Sequence, residues 1–282
     1  METQIIDGKA LAKQWQEKLK TQVERMERVP TLAVILVGND PASEIYVRHK
    51  RQVAERVGIT SELFQLSPVM TQEALIAFIQ ELNANDKVDG ILVQLPLPKH
   101  INADAVIEAI DPQKDADGLT SVNLGHLFIG QPNLVPCTPM ACVELLKSVC
   151  PVLQGKNVVI VGRSKLVGKP LSQLLLDENC TVTQAHSKTV NLKKVCREAD
   201  ILIVAVGKPN LITKSFVKKG AVIIDVGINR LRNKKIVGDV DYPKMLGHVS
   251  AITPVPGGVG PMTVTMLLKN TVQISQKRQK ND

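Results

Sequence analysis

Aromatic residues are scarce in this chain: one Trp, two Tyr and four Phe, 2% of 282 residues. The core must therefore be built from Val, Ile, Leu and Ala, which suit strands buried in a parallel sheet. No run approaches the ~18 apolar residues that a membrane-spanning helix needs. The start, Met1-Glu2-Thr3-Gln4, lacks a basic segment followed by an apolar block, so no secretion signal is read. A disulfide or zinc framework is missing as well. Cys137, Cys142, Cys150, Cys180 and Cys196 are odd in number and form no CxxC pair, and the five histidines are scattered. That pattern predicts reduced thiols, a cytoplasmic location and no metal. The net charge of +8 lies partly in Gln276-Lys277-Arg278-Gln279-Lys280, which reads as a solvated helix end. No basic patch is interleaved with aromatics, so nucleic acid is not expected as a partner. Anionic small molecules account for the excess.

What is present is an alternation of helix and strand. Leu11, Trp15, Leu19, Val23 and Met26 recur at steps of four or three and predict an amphipathic helix over 7–28, capped by Asp7. Strands are expected at 31–37, 59–66 and 88–95, with helices from about Ser43 to Val57 and from Thr71 to Leu82. A short helix is expected over 102–110. This β-α-β-α-β order predicts a parallel sheet with crossover helices. Thr138-Pro139 starts a new helix and marks a domain boundary. Beyond it a second series places strands at 157–161, 181–185, 201–206 and 221–226, with helices from Gly168 and near 190–196. The fold class is α/β, with two α/β domains, the second a Rossmann-like parallel sheet, and a cleft between them.

The segment Val158-Val-Ile-Val-Gly162-Arg163-Ser164-Lys165-Leu166-Val167-Gly168-Lys169-Pro170 runs from a buried strand through a glycine turn into a helix. Unpaired amides at such a helix start bind phosphate. A GxGxxG fingerprint would need Gly at 164 and 167, and a P-loop would need its second Gly one residue earlier. A plain strand-to-helix turn remains open on this segment alone. About twenty residues on, where an NAD site usually carries an acid, the chain has His186-Ser187-Lys188. Donors and cations without an acid suit the extra ribose phosphate of NADP.

Tyr46 and Lys50 are four residues apart and share one helix face. Lys50 reads either as a snorkelling surface residue or as a functional amine of lowered pKa. Gln94 interrupts the apolar run Ile91-Leu-Val-Gln-Leu-Pro-Leu-Pro98 at the carboxyl edge of a strand, where ligands bind. Asp115-Ala-Asp117-Gly118 reads as a solvated Asx turn. Pro136-Cys-Thr-Pro139 and the 253–263 loop are rigid segments that expose backbone.

Taken in order, these segments closely resemble the bifunctional methylenetetrahydrofolate dehydrogenase/cyclohydrolase family. The match includes Tyr46-Val-Arg-His-Lys50, Asp89–Pro98, Lys114–Gly118, Pro136–Pro139, Gly162–Pro170, Asp225-Val-Gly-Ile-Asn229, Gly238-Asp-Val-Asp241 and Thr253–Thr263. The resemblance implies a catalytic folate-binding domain over 1–138 completed by the last helix, 262–282, and an NADP domain over 139–261. It implies catalytic roles for Lys50, Gln94, Tyr46 and Asp117: Lys50 central, Gln94 bonded to it, Tyr46 stacked on the pterin and Asp117 anchoring the pterin. Pro256, Gly257 and Gly258 would close on the folate. Gly162, Arg163, Ser164, His186, Ser187, Gly207 and Ile228 would bind NADP, with Arg163 and Ser187 on its phosphate. A homodimer through the cofactor domain, and a place in one-carbon metabolism feeding purine biosynthesis, are implied too. One departure is Ala141, where the family commonly has Gly. Other readings are a dehydrogenase without the hydrolase step and a non-enzymatic NADP-binding module. The latter would have no use for Lys50, Gln94 and Asp117 together.

Overall fold

A computed structural model describes residues 2–280. The chain divides into two compact units. One holds Gln14–Cys137 and the chain from Val264 onward; the other holds the chain up to Lys13 and Thr138–Thr263. Among the described residues the strands are β1 (Gln4–Ile5), β2 (Thr31–Val37), β3 (Thr60–Leu66), β4 (Gly90–Val93), β5 (Asn157–Val161), β6 (Thr181–Ala185), β7 (Ile201–Val204), β8 (Val222–Asp225), β9 (Asn229–Arg230), β10 (Ile236–Val237) and β11 (Ala251–Ile252).

In the first unit β2 lies between β3 and β4, and all three strands are parallel. The six residues from Leu32 to Val37 in the central strand are buried, so helices must cover both faces. The helix Pro41–Val57 begins with Asp40, whose carboxylate accepts from Ser43 N at 2.8 Å, and with Pro41 in its first turn. Asp40-Pro41 is thus a cap followed by a helix-starting proline, which sets the helix start ahead of the expected Ser43. Gly58, at φ 88°, closes this helix in the left-handed region. Ala33, Ile35, Leu75, Ile79, Ile91 and Val106 form the core on one side of the sheet. The basic tail is not freely solvated. Arg278 bonds to Val88 O and Asp86 O and lies 3.5 Å from the buried Asp89 carboxylate, which also pairs with Arg28 at 2.7 Å.

The second unit is a six-stranded sheet in the order β1-β11-β8-β7-β5-β6, parallel throughout. The chain leaves β5 for β6 on one side and returns past it to β7 on the other. That reversal makes the carboxyl ends of β5 and β7 the expected ligand edge. Val159, Val161, Leu202, Val204, Ile223 and Ile252 lead the core beneath it. β9 and β10 form a small antiparallel hairpin.

The N-terminal residues sit differently from the expected 1–138 span. β1 pairs with β11, Gln4 opposite Ala251 and Ile5 opposite Ile252. Ile6 N donates to Ile252 O at 2.9 Å, so backbone hydrogen bonds hold this segment in the second unit's sheet. Among the described residues no helix is long and apolar enough to cross a membrane. Likewise, no group of three or more His, Cys, Asp or Glu among them could hold a metal ion.

Candidate active site

In the first unit the helix Pro41–Val57 turns Val53 and Val57 into the core, and its helical spacing carries Tyr46 and Lys50 together along one face. The Lys50 amine is buried, 7% exposed, and lies 4.7 Å from the centroid of the Tyr46 ring. Gln94, one residue past β4, is 9% exposed. Its Oε1 accepts from Lys50 Nζ at 3.0 Å while its Nε2 donates to Leu95 O at 2.7 Å. The side-chain oxygen is thereby fixed toward the amine. Burial lowers the Lys50 pKa, and Asp117 and Cys137 oppose that shift by favouring the ammonium form. Burial, reinforced by Asp117, raises the Tyr46 hydroxyl. The Asp117 carboxyl is itself raised by burial, against the pull of Lys50. Lys50, Gln94, Tyr46 and Asp117 thus form one electrostatically linked group, and the snorkelling alternative for Lys50 is excluded.

Asp117 is placed by a turn whose scaffold is Asp115. Asp115 is 1% exposed and accepts from Gly118 N at 2.9 Å, Thr120 N at 2.8 Å and Asn123 Nδ2 at 3.0 Å. The turn is therefore an interior brace, contrary to its reading as a solvated Asx turn. A solvated carboxylate would not satisfy three fixed donors in the interior. Cys137, also buried, adjoins Asp117: its amide donates to Asp117 O at 3.3 Å and its thiol to Ala116 O at 3.4 Å. Sequence spacing gave no sign of this thiol's place beside Lys50 and Asp117, because the segments meet only through the fold.

In the second unit, the residues expected to bind cofactor gather along the carboxyl edge of the sheet. Gly162, Arg163 and Ser164 follow β5; His186 and Ser187 follow β6; Gly207 follows β7; Ile228 follows β8. The two glycines of the first turn need each other. A Cβ on Gly162, at φ 137°, would come 2.4 Å from Ala205 O, and one on Gly168 would come 2.3 Å from Gly162 O. Gly168 thus permits the close strand-to-helix turn that the absent fingerprint glycines would otherwise serve. It opens the helix Gly168–Asp177, whose cap residue Val167 makes no side-chain capping bond. Ser164 Oγ accepts from Val167 N at 3.1 Å. Arg163, Ser187, Lys188 and Ile228 are exposed at this edge. His186 Nδ1 accepts from Lys188 N at 3.1 Å, so the ring braces its own loop. A backbone cradle that a Cβ would fill, beside exposed cations and a helix start, fits a phosphorylated dinucleotide.

Two buried carboxylates stand behind this edge. Asp225, at the end of β8, is 2% exposed and accepts from Gly227 N, Asp239 N and Val240 N at 3.0, 3.0 and 2.9 Å. Burial pushes its carboxyl up to about 7 against those three donors. Asp239 is wholly buried. Pro256, Gly257 and Gly258 follow β11 in the same unit, and Gly8 leaves no room for a Cβ against Gly258 O. Ala141 is fully buried inside the helix Cys137–Val149.

Comparison with known proteins matches both halves of the chain. Residues 6–117 match the tetrahydrofolate dehydrogenase/cyclohydrolase catalytic domain, and residues 136–279 match the NAD(P)-binding domain of the same family. The bifunctional protein FolD of Acetivibrio thermocellus is 54% identical, with 99% of each chain covered. The structure of the FolD methylenetetrahydrofolate dehydrogenase/cyclohydrolase from Campylobacter jejuni is 46% identical, with a TM-score of 0.95 over 98% of this chain and 99% of that one. The FolD of Trypanosoma brucei, solved with NADP cofactor and an inhibitor, is 39% identical, with a TM-score of 0.94 over 99% of both chains. With the buried Lys50–Gln94 pair on one unit and the glycine cradle on the other, the chain belongs to the tetrahydrofolate dehydrogenase/cyclohydrolase family.

Proposed function

We infer that the chain oxidises 5,10-methylenetetrahydrofolate to 5,10-methenyltetrahydrofolate with NADP, then hydrolyses the product to 10-formyltetrahydrofolate. The observation that carries this reading is the buried Lys50 amine, held 3.0 Å from Gln94 Oε1 in a chain whose two units match both domains of the family. NADP, when bound, would supply a hydride acceptor for the bridging carbon of the folate. Gly162 and Ser164 would hold the dinucleotide at the helix start, Arg163 and Ser187 would take its ribose phosphate, and His186, Gly207 and Ile228 would complete the edge. The chain's contribution to that first step is alignment.

The hydrolysis falls to Lys50. Burial lowers the Lys50 pKa and so favours the neutral amine, and the positive methenyl carbon nearby disfavours the ammonium further. The neutral amine takes a proton from the attacking water as the new carbon–oxygen bond forms. It returns that proton to the departing ring nitrogen as the carbon–nitrogen bond breaks, and the adduct's hydroxyl proton is released to solvent as the formyl carbonyl forms. Gln94 keeps the amine aimed. Tyr46 offers its ring face to the pterin, and Asp117 accepts from the pterin's amino group and ring nitrogen. Pro256, Gly257 and Gly258 give main chain to the substrate. The reading extends to a cytoplasmic enzyme, a homodimer joined through the cofactor units, and a product that serves as formyl donor for purine biosynthesis.

The test uses purified chain, methylenetetrahydrofolate and NADP, followed spectroscopically for cofactor reduction and for methenyl decay. Both signals are expected. Reduction with persistent methenyl absorbance would leave a dehydrogenase alone, and silence in both channels would overturn the reading.

A further inference from the structure

The carboxyl edge of the six-stranded sheet presents two glycine turns, and they are built differently. One is the start of the helix Gly168–Asp177, where the Val167 side chain caps nothing and Ser164 takes the amides of Val167, through Oγ at 3.1 Å, and of Lys169, through its carbonyl at 3.0 Å. The other is the turn after β7, Val206-Gly207-Lys208. There the amides of Val206 and Gly207 donate to Asp239 Oδ2 at 2.7 and 2.9 Å, and that of Lys208 donates to Oδ1 at 2.8 Å. Three consecutive amides converging on one point make an anion nest. In this fold the anion is the protein's own. Asn229 Nδ2 adds a fourth donor at 2.8 Å, and Asp239 has no solvent exposure.

The arrangement leaves no slack. Asp239 is held through its own amide by Asp225 Oδ1 at 3.0 Å. A Cβ on Gly227 would lie 2.3 Å from Asp239 Cγ, and one on Gly238 would lie 1.9 Å from Asp225 Oδ2. Both glycines are therefore required for the carboxylates to reach their donors. The turn after β7 and the turn after β8, which carries Ile228, are bolted together by one buried anion.

We propose that Asp239 is a positioning residue for the dinucleotide: its carboxylate fills the nest of the turn after β7, fixes that turn's shape, and closes it to the cofactor's phosphates. This rests on the reading of the unit as a cofactor domain. The turn after β7 then meets the uncharged part of the cofactor with rigid backbone, since its amides are already engaged. An asparagine in place of Asp239 keeps the size but turns an amino group toward backbone donors, so the turn must open.

The experiment compares Asp239→Asn and Asn229→Ala with the unaltered chain in two assays. The first is NADP reduction with methylenetetrahydrofolate. The second is hydrolysis of methenyltetrahydrofolate supplied directly, without NADP. For Asp239→Asn, KM for NADP should rise about tenfold or more, with slower reduction at saturation. Asn229→Ala, which removes one donor of four, should raise KM in the same direction by about threefold. Hydrolysis should fall far less than reduction in both, because Lys50, Gln94, Tyr46 and Asp117 lie in the other unit. If Asp239→Asn loses both activities together, Asn229→Ala decides: a selective rise in KM for NADP supports the proposal. Its absence there, or an unchanged KM in Asp239→Asn, overturns it. An unaltered chain that never reduces NADP would instead refute the functional reading beneath it.

Discussion

Gln94 Oε1 and Lys50 Nζ lie 3.0 Å apart, and both side chains are almost fully buried. Gln94 cannot swing away, because its Nε2 is tied to Leu95 O. The amide is a neutral acceptor. It orients the amine without holding the proton on it as firmly as a carboxylate would.

Lys50→Met should therefore abolish methenyl hydrolysis, with a loss of about 100-fold or more, the usual span of general acid–base catalysis. NADP and folate should still bind. Methenyl absorbance after a single turnover is the measurement, and hydrolysis at the original rate would contradict the role.

Hydrolysis should fall as pH drops through the Lys50 pKa, because the ammonium form takes no proton from water. Burial places that limb below the ordinary lysine range. Asp117 favours the charged amine, so Asp117→Asn should move the limb to still lower pH while weakening folate binding. A pH–rate profile of methenyl decay at saturating folate checks the direction; a shift to higher pH would contradict it.

Arg163→Ala should weaken NADP about tenfold or more, and NAD much less, since only NADP carries the extra phosphate. Titration of both cofactors by fluorescence reads the ratio. Equal losses would remove the assignment of Arg163 to that phosphate.

Gly162→Ala should destabilise the second unit and lose NADP. The new Cβ meets Ala205 O at 2.4 Å and the φ of 137° is one that side chains rarely adopt. A loss of stability of at least ~1 kcal/mol and a melting midpoint lower by several degrees are expected. Unchanged melting with unchanged NADP affinity would show that the turn is looser than its geometry.

β2 and β5 were readable because each is an apolar, almost wholly buried run bounded by turn residues, and both lie at the residues expected from the sequence; β6, which alternates exposed and half-buried residues, lies at its expected residues as well. The first helix ends at Val23, short of the expected 28, although Met26 continues its apolar spacing. The helix Ser121–Phe128 went unread, being short and carrying Gly125 inside it. β1, β9, β10 and β11 have two residues each, too few for any period to show. Tyr46 and Lys50 were legible because helical spacing alone puts them on one face. Asp239 was not, because its partners in the turn after β7 lie 31 to 33 residues earlier and are backbone amides, which no side-chain pattern records.

Neither unit is continuous in the chain. β1 can pair only after Ala251 and Ile252 have been made, and the helix Val259–Gln279 supplies residues from Val264 onward to the unit begun at Gln14. During synthesis, domains that are contiguous can finish folding as they leave the ribosome. Here the segment around Gln4 and the segment from Ala251 onward must wait for each other, so neither unit can complete its fold until residues past 250 have been made. A nascent chain arrested before residue 250 should consequently hold no finished sheet in its cofactor-binding half and no closing helix in its catalytic half.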